Sequence, residues 1–242
     1  MKPSFKDQVA VVTGASSGIG QAIALALAAQ GAALCLVGRN QQALEETRQH
    51  AGVQSSPTRS YVADLSVDQD LENLVEQLRR DSPKLDVLVH CAGIFHSGSV
   101  ASAPVSDFDL QYRINVRAPF RLTQALLPSL QARQGQVVFI NSSAGLTTRA
   151  NISQYAATKH ALKALADSLR DEVNNAGIRV LSVFPGRTAT PQQIAIHKEE
   201  GKPYQPHLLL QPADVAEVVL QTLCLERTAE VTNISVRPMR KT

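Results

Sequence analysis

The chain has 242 residues, of which 44% are hydrophobic and 19% charged, and a formal net charge of +3. This is ordinary globular composition, and the length suits one α/β domain with a sizeable core and no disulfide staples. The small charge, the lack of any Lys/Arg run and the lack of a bilayer-length apolar segment argue against nucleic acid or membrane as a partner.

In chain order, QVAVVT (8–13) reads as a strand that runs into TGASSGIG (13–20), and GQAIALALAAQG (20–31) as a helix closed by Gly31. A glycine-rich turn between strand and helix lets the backbone approach a pyrophosphate. The helix N-terminus adds free N–H groups and the positive end of its dipole. The spacing is G-x-x-x-G-x-G (Gly14, Gly18, Gly20), not the G-x-G-x-x-G of the common dinucleotide fingerprint. Ser16, Ser17 and Ile19 fill out the expected cradle.

ALCLVG (33–38) is the second strand, followed by a polar helix from Asn40. A dinucleotide site reads the adenosine ribose at this strand's end, where a carboxylate takes a free 2′-hydroxyl and a base favours a 2′-phosphate. Here Val37-Gly38-Arg39-Asn40 offers no carboxylate, and the planar charged fork of Arg39 suits phosphate. NADP is therefore expected ahead of NAD; the plain alternative is a solvated arginine.

SYVA (60–63) leads to Asp64 and Leu65 in VADLS. Asp64 is either an acceptor for the adenine amino group or a local turn carboxylate. Ser66 is expected to cap a helix through about Arg80, with Gln69 closing a capping box. DVLVHC (86–91) is a strand whose sequel, Ala92-Gly93, either lets a cofactor lie against the backbone or simply turns. A long helical pattern spans Asp107 to Gln131, and QVVFIN (136–141) is the next strand.

A helix containing Tyr155 comes next, then the strand RVLSVF (179–184). Residues 191–211 lack pattern and are long for a connection, which suggests a substrate-side loop or lid, or disorder. A helix from Pro212 to about Cys224 and the strand EVTNISV (230–236) complete the series. The strands are nearly continuous in apolar residues, the mark of a parallel sheet covered on both faces. Seven strands with six helical stretches give one doubly wound, Rossmann-type α/β domain over residues 1–242.

The three cysteines, Cys35, Cys91 and Cys224, show no metal-like spacing, and no metal is expected. Cys35 and Cys91 lie in apolar runs and read as small buried hydrophobes. The opening MKPSFKDQVAVVTG holds no apolar signal core, so a reducing, cytoplasmic location is expected.

The helix at Tyr155 raises a question. At ~100° per residue, Tyr155, Lys159, Leu162, Ala166, Leu169 and Val173 share the stripe that should face the core. A lysine there either snorkels to the helix edge or faces a cleft. In a cleft, its ammonium one turn from the phenol would favour the phenolate and bring a pKa of ~10 down. Ser142, just after the strand 136–141, can hold a carbonyl oxygen beside that phenol.

Together these residues resemble the short-chain dehydrogenase/reductase family, in its compact group, over essentially the whole chain. Thr13-Gly14, Gly18 and Gly20 match its T-G-x-x-x-G-x-G cofactor motif, and Ser142, Tyr155 and Lys159 its catalytic serine, tyrosine and lysine. The S-x-x-G register with Gly145 places the serine at Ser142, with Ser143 as a rival. Asn115, in YRINVRAP, matches an asparagine that interrupts the family's long interface helix and helps hold a water linked to the lysine. VFPGRTAT (183–190) resembles the P-G-x-x-x-T stretch that holds the nicotinamide carboxamide, which implies Pro185, Gly186, Thr188 and Thr190 as cofactor contacts. One departure is His90-Cys91-Ala92-Gly93 where the family has N-N-A-G; it removes the asparagine hydrogen bonds to the central sheet.

The resemblance implies hydride transfer between a nicotinamide and a small carbonyl or alcohol substrate. Tyr155 is then general acid/base, Ser142 orients the oxygen, Lys159 tunes Tyr155 and binds the ribose, and Asn115 supports a proton relay. Related epimerases and dehydratases need the other glycine spacing and a larger substrate domain. A redox sensor that binds NADP with little turnover is the non-enzymatic alternative. Phe95, His96, Leu146, Gln154, Arg187 and parts of 191–211 are expected to line the substrate pocket, and the helices around Asn115 and Lys159 to build a homodimer or tetramer.

Overall fold

Each of the seven expected strands forms in a computed structural model, which describes residues 5–52 and 57–240. They are β1 (Val9–Thr13), β2 (Ala33–Gly38), β3 (Thr58–Val62), β4 (Val87–His90), β5 (Gln136–Ile140), β6 (Arg179–Pro185) and β7 (Asn233–Val236). The order is β3-β2-β1-β4-β5-β6-β7, with every pairing parallel. The chain winds outward from β1 to β3, then returns to β4 on the other side of β1. That reversal opens a crevice beyond the carboxyl ends of β1 and β4, where open α/β sheets take ligands.

The helices are α1 (Gly18–Ala29), α2 (Gln41–Gly52), α3 (Asp68–Asp81), α4 (Val105–Tyr112), α5 (Ala118–Gln131), α6 (Ser153–Val173), α7 (Pro191–Glu199) and α8 (Pro212–Leu223). Side chains alternate across each strand. Val12, Leu34, Leu36, Val89 and Val138 pack with Ile23 and Leu27 of α1, Leu44 of α2 and Val215 and Val219 of α8. Val11, Val37, Leu88 and Val137 face the other way, onto Leu74 of α3, Leu122 of α5 and Leu162 and Ala166 of α6. Burial on both faces is why the central strands read as unbroken apolar runs. Among the described residues no helix is long and apolar enough to cross a membrane.

Two local features differ from the sequence reading, and a third, the interruption that the family resemblance implies at Asn115, is present. Ser66 does not cap α3: its amide and hydroxyl both donate to Asp64 Oδ1, at 2.9 and 2.7 Å, while Gln69 donates to Asn73. The turn at Asp64 captures the serine, and Val67 takes the cap position without a side-chain bond. The long helix is broken between α4 and α5 by a π-turn, Arg113–Arg117, with Asn115 inside it. Pro119 has no N–H to give the carbonyl four residues back, which is that of Asn115, so the regular ladder cannot run through.

Residues 191–211, expected as a loop, hold α7 and a 3₁₀ turn at Pro206–Leu208. Thr190 caps α7 by accepting from the Gln193 amide, and Pro191 opens it. Its buried positions are Gln193 and His197, whereas Ile194 is 50% exposed. A buried stripe made of polar residues gives no apolar period to read.

Candidate active site

β1 ends at Thr13, whose hydroxyl oxygen accepts from the Cys91 and Ala92 amides at 3.0 and 3.1 Å and donates to Val89 O at 3.3 Å. This joins β1 to β4 where the strand order reverses. Gly14 follows at φ +68°, and a Cβ on it would meet Ala92 N at 2.8 Å; one on Gly20 would meet Gly14 O at 2.3 Å. The turn therefore closes only without side chains at these two positions. At the start of α1, Ser17 forms no side-chain cap and the first turn holds no acidic residue. The leading N–H groups and the dipole are thus free to act on an anion, which suits a pyrophosphate.

A cleft of about 1000 Å³ lies over the carboxyl ends of the strands. Gly14, Ser16, Ser17, Gly18, Ile19 and Gly20 line it from the β1–α1 turn, and Arg39, Asp64, Leu65, Ala92 and Gly93 from the ends of β2, β3 and β4. Ser142, Tyr155 and Lys159 line it from the β5–α6 side, and Pro185, Gly186, Thr188 and Thr190 from the end of β6. Arg39 and Asp64 face each other at 3.9 Å, and Arg39 is 62% exposed, so the ion pair is weak and the fork largely free. The turn-carboxylate reading of Asp64 fits the structure: Oδ1 closes the turn with Ser66, while Oδ2 faces Arg39. Burial pushes its pKa up, but the Ser66 bonds and then Arg39 outweigh this and hold it low.

Lys159 does not snorkel. It is 4% exposed, its Nζ donates to Ile140 O at 3.2 Å, and it lies 5.7 Å from the centre of the Tyr155 ring. Burial pulls its pKa down to about 8. Tyr155 is half-buried and meets the edge of Phe95, with ring centres 5.0 Å apart. Burial pushes its pKa up to about 12, against the hydrogen bond from Ser142. Desolvation, not the lysine, thus sets the direction at Tyr155, opposite to the lowering expected from the sequence.

Ser142, half-buried beside the phenol whose pKa it lowers, accepts from the Ala144 amide at 3.1 Å through Oγ, whereas Ser143 is exposed. The Ser-x-x-Gly register has a steric cause: a Cβ on Gly145 would lie 2.5 Å from Asn141 Oδ1 and 3.0 Å from Lys159 O. Asn141 donates to Lys159 O at 3.0 Å and so ties α6 to β5, a role that was not read from the sequence.

Asn115 stands behind the cleft wall and does not line it. Its Oδ1 accepts from Ile94 N, and its Nδ2 donates to Ile94 O and Thr158 Oγ1, at 2.9, 3.0 and 3.1 Å. It thereby holds the segment after Gly93 against α6. At the HCAG departure, His90 replaces asparagine bonding with its own: Nε2 shares a 2.8 Å hydrogen bond with Thr123 Oγ1, and the ring stacks on Phe139. Burial pulls the His90 pKa down to about 3, so it is neutral. Its Nδ1 has no partner.

On the substrate side, Phe95 and Arg187 line the cleft, but His96, Leu146 and Gln154 do not. The His96 ring faces Asp107 at 3.6 Å, Gln154 donates to Pro104 O, and Leu146 is 44% exposed. Arg149 and Lys202 line it instead, as does Ile196 of α7. The signal for α7 was Thr190-Pro191, a cap residue followed by the proline that suits the first helical position.

A family model described as short chain dehydrogenase matches residues 8–201. An uncharacterized short-chain type dehydrogenase/reductase of Sinorhizobium fredii is 36% identical over 98% of this chain and 94% of its own length. An uncharacterized oxidoreductase of Staphylococcus epidermidis is 32% identical over 97% and 98%. Among solved structures, L-sorbose reductase from Gluconobacter frateurii complexed with NADPH and L-sorbose superposes over 100% of both chains at 28% identity, with TM-score 0.89. An alcohol dehydrogenase from Thermococcus sibiricus complexed with 5-hydroxy-NADP covers 97% of this chain and 98% of its own at 27% identity and TM-score 0.87. An NAD+-bound xylitol dehydrogenase covers 97% and 99% at 25% identity and TM-score 0.85.

Proposed function

The chain belongs to the short-chain dehydrogenase family and is an NAD(P)-dependent oxidoreductase; we propose that it interconverts a small carbonyl compound and its alcohol with NADP(H), using Tyr155 as general acid and base. When bound, the nicotinamide supplies or takes up the hydride. In the reducing direction Tyr155 gives its phenolic proton to the carbonyl oxygen, which Ser142 holds and stabilises as charge develops. Lys159 donates to the ribose hydroxyls, and as an ammonium, below its pKa of about 8, it favours the phenolate left behind. Asn115, by tying Ile94 to Thr158 and α6, keeps the two walls of the reacting end in register and supports the proton relay.

The observation that carries this reading is the meeting of a 4% exposed lysine, a tyrosine one turn away and a serine in one cleft with the glycine-rich cradle. NADP is favoured over NAD by the exposed Arg39 fork and by the absence of a carboxylate at the end of β2. The NADP- and NADPH-bound neighbours support the same choice. Residues 1–242 act as one catalytic domain, with the α7 segment as its substrate-side wall. Pro185, Gly186, Thr188 and Thr190 flank the nicotinamide.

Two further readings complete the proposal. Val105, Phe108, Tyr112 and Phe120 are exposed apolar residues at near-helical spacing along α4 and α5, and they support a homo-oligomer built on those helices. Three free thiols fit a reducing, cytoplasmic setting. The test is loss of absorbance at 340 nm with NADPH and NADH in parallel, over a panel of ketones, aldehydes and hydroxy compounds. Turnover with NADPH ahead of NADH is expected; binding of NADPH without turnover of any compound contradicts the proposal.

A further inference from the structure

Resting on the oxidoreductase reading above, we propose that the substrate carries an anionic oxygen group, a carboxylate or phosphate ester, received by Arg149, Arg187 and Lys202 at the reacting end of the cleft. All three cations line the cleft. Behind them stands Glu200, which does not line it: Arg187 Nη2 donates to both its oxygens at 2.8 and 2.7 Å, Arg149 to Oε1 at 2.9 Å, and Lys202 lies 3.1 Å from Oε2. Burial raises the Glu200 pKa, but hydrogen bonds from Arg149, Arg187 and Lys202 outweigh this and hold it at about 2, so it is ionised throughout the neutral range.

One carboxylate faces three cations, which leaves two positive charges unbalanced on the cleft side. Glu199, its neighbour, does not help: it accepts from Ser97 Oγ at 3.3 Å. Among the described residues the one carboxylate that lines the cleft is Asp64, which faces Arg39 at the opposite end. Glu200 thus gathers Arg149, from before α6, and Arg187 and Lys202, from either side of α7, and fixes their heads. Arg187 spends Nη2 on the carboxylate and its Nη1 lies 3.5 Å from His197 Nε2, whereas Arg149 and Lys202 are 54% and 56% exposed. Donors remain for a second anion, which would complete the charge balance. Phe95, Ile152 and Ile196 line the same end and suit a short carbon chain between the carbonyl at Tyr155 and the anionic group.

The test pairs each acid with an uncharged match: 4-oxopentanoate with its methyl ester, and dihydroxyacetone phosphate with dihydroxyacetone, all with NADPH. The acidic member of at least one pair is expected to win in kcat/KM by about ten- to a hundredfold, the weight of a charge-assisted hydrogen bond, and the pair that shows it separates carboxylate from phosphate. The advantage should shrink as salt is raised and collapse in the Arg149→Gln/Lys202→Gln double variant, whose fold is checked by circular dichroism. Equal use of both members of both pairs overturns the anionic site and leaves the oxidoreductase intact. If none of the four compounds is turned over, the reaction is judged on the wider panel above and the anionic site by binding. Titration calorimetry with glutarate and glycerol 3-phosphate then decides: binding that the double variant loses supports the site, and no binding overturns it. A double variant that weakens NADPH binding but leaves the acid preference unmoved assigns the cations to the cofactor and also overturns the proposal.

Discussion

At Gly14, Gly18 and Gly20 the cleft wall is bare backbone, and a methyl added at Gly20 would stand 2.3 Å from a carbonyl oxygen. At the other end the wall is side chains from separate stretches: Ser142 and Arg149 after β5, Tyr155 and Lys159 on α6, Arg187 and Lys202 on either side of α7. The contrast follows from the chemistry each end serves. A pyrophosphate is met by N–H groups and a helix dipole, which any sequence with the right turn supplies. Proton transfer and recognition of a particular substrate need chosen functional groups, and these can change without rebuilding the strand–turn–helix. The first end should therefore break through sterics and the second through chemistry.

The largest effect belongs to the second end. Tyr155→Phe keeps the ring and its edge contact with Phe95 but removes the proton. Turnover should fall by ~10²–10⁴, the weight of a general acid, while NADPH binding followed by fluorescence stays near that of the parent. Half the parent kcat in the variant would take Tyr155 out of the reaction.

Gly20→Ala probes the first end and should damage both stability and cofactor binding, because the new Cβ can be relieved only by moving the turn. Overpacking of this kind costs ~1–3 kcal/mol, read from the urea midpoint, with NADPH affinity falling alongside. A variant as stable as the parent that binds NADPH equally well would show that the backbone is not the constraint.

A smaller effect, growing as pH falls, sits where the two ends meet, on β4. His90 has a folded-state pKa of about 3, below the ordinary ~6.5 of the unfolded chain. The unfolded state binds the proton more readily, so the stabilisation is full above about pH 6.5 and is lost as pH falls toward 3, by ~1.4 kcal/mol per unit for one such group. His90→Gln can keep a bond to Thr123 without titrating, and its urea midpoint should fall less steeply between pH 6.5 and 5. Parallel pH curves for variant and parent would mean that other groups carry the acid sensitivity.

The same contrast governs what could be read in advance. The glycine spacing, the Tyr155–Lys159 pair and the apolar strands are local patterns with one physical cause each, and they led directly to a doubly wound sheet and to a cleft with those residues in it. The break at Asn115 came from the family resemblance alone; its physical cause lies in Pro119 and the Asn115 carbonyl considered together, both in YRINVRAP. Helix α7 was hidden because Gln193 and His197, not isoleucines, form its buried stripe. Ser66 was drawn from the cap by Asp64, one of two local bonds that compete on nearly equal terms. The cations around Glu200 come from residues 149, 187 and 202, which only the tertiary fold brings to one carboxylate.

Lys159 is the residue at which the two ends join, since it is assigned both the ribose and the phenol. Lys159→Met preserves the stem's packing and removes only the charge and its hydrogen bonds. The deciding measurement is NADPH titration together with the pH dependence of kcat/KM, from about pH 6 to 10, for parent and variant. The account predicts weaker NADPH binding and a governing pKa displaced upward, because the phenolate loses its neighbouring positive charge. Unchanged affinity with an unmoved profile would leave Lys159 as packing and contradict the claim that one side chain serves both ends.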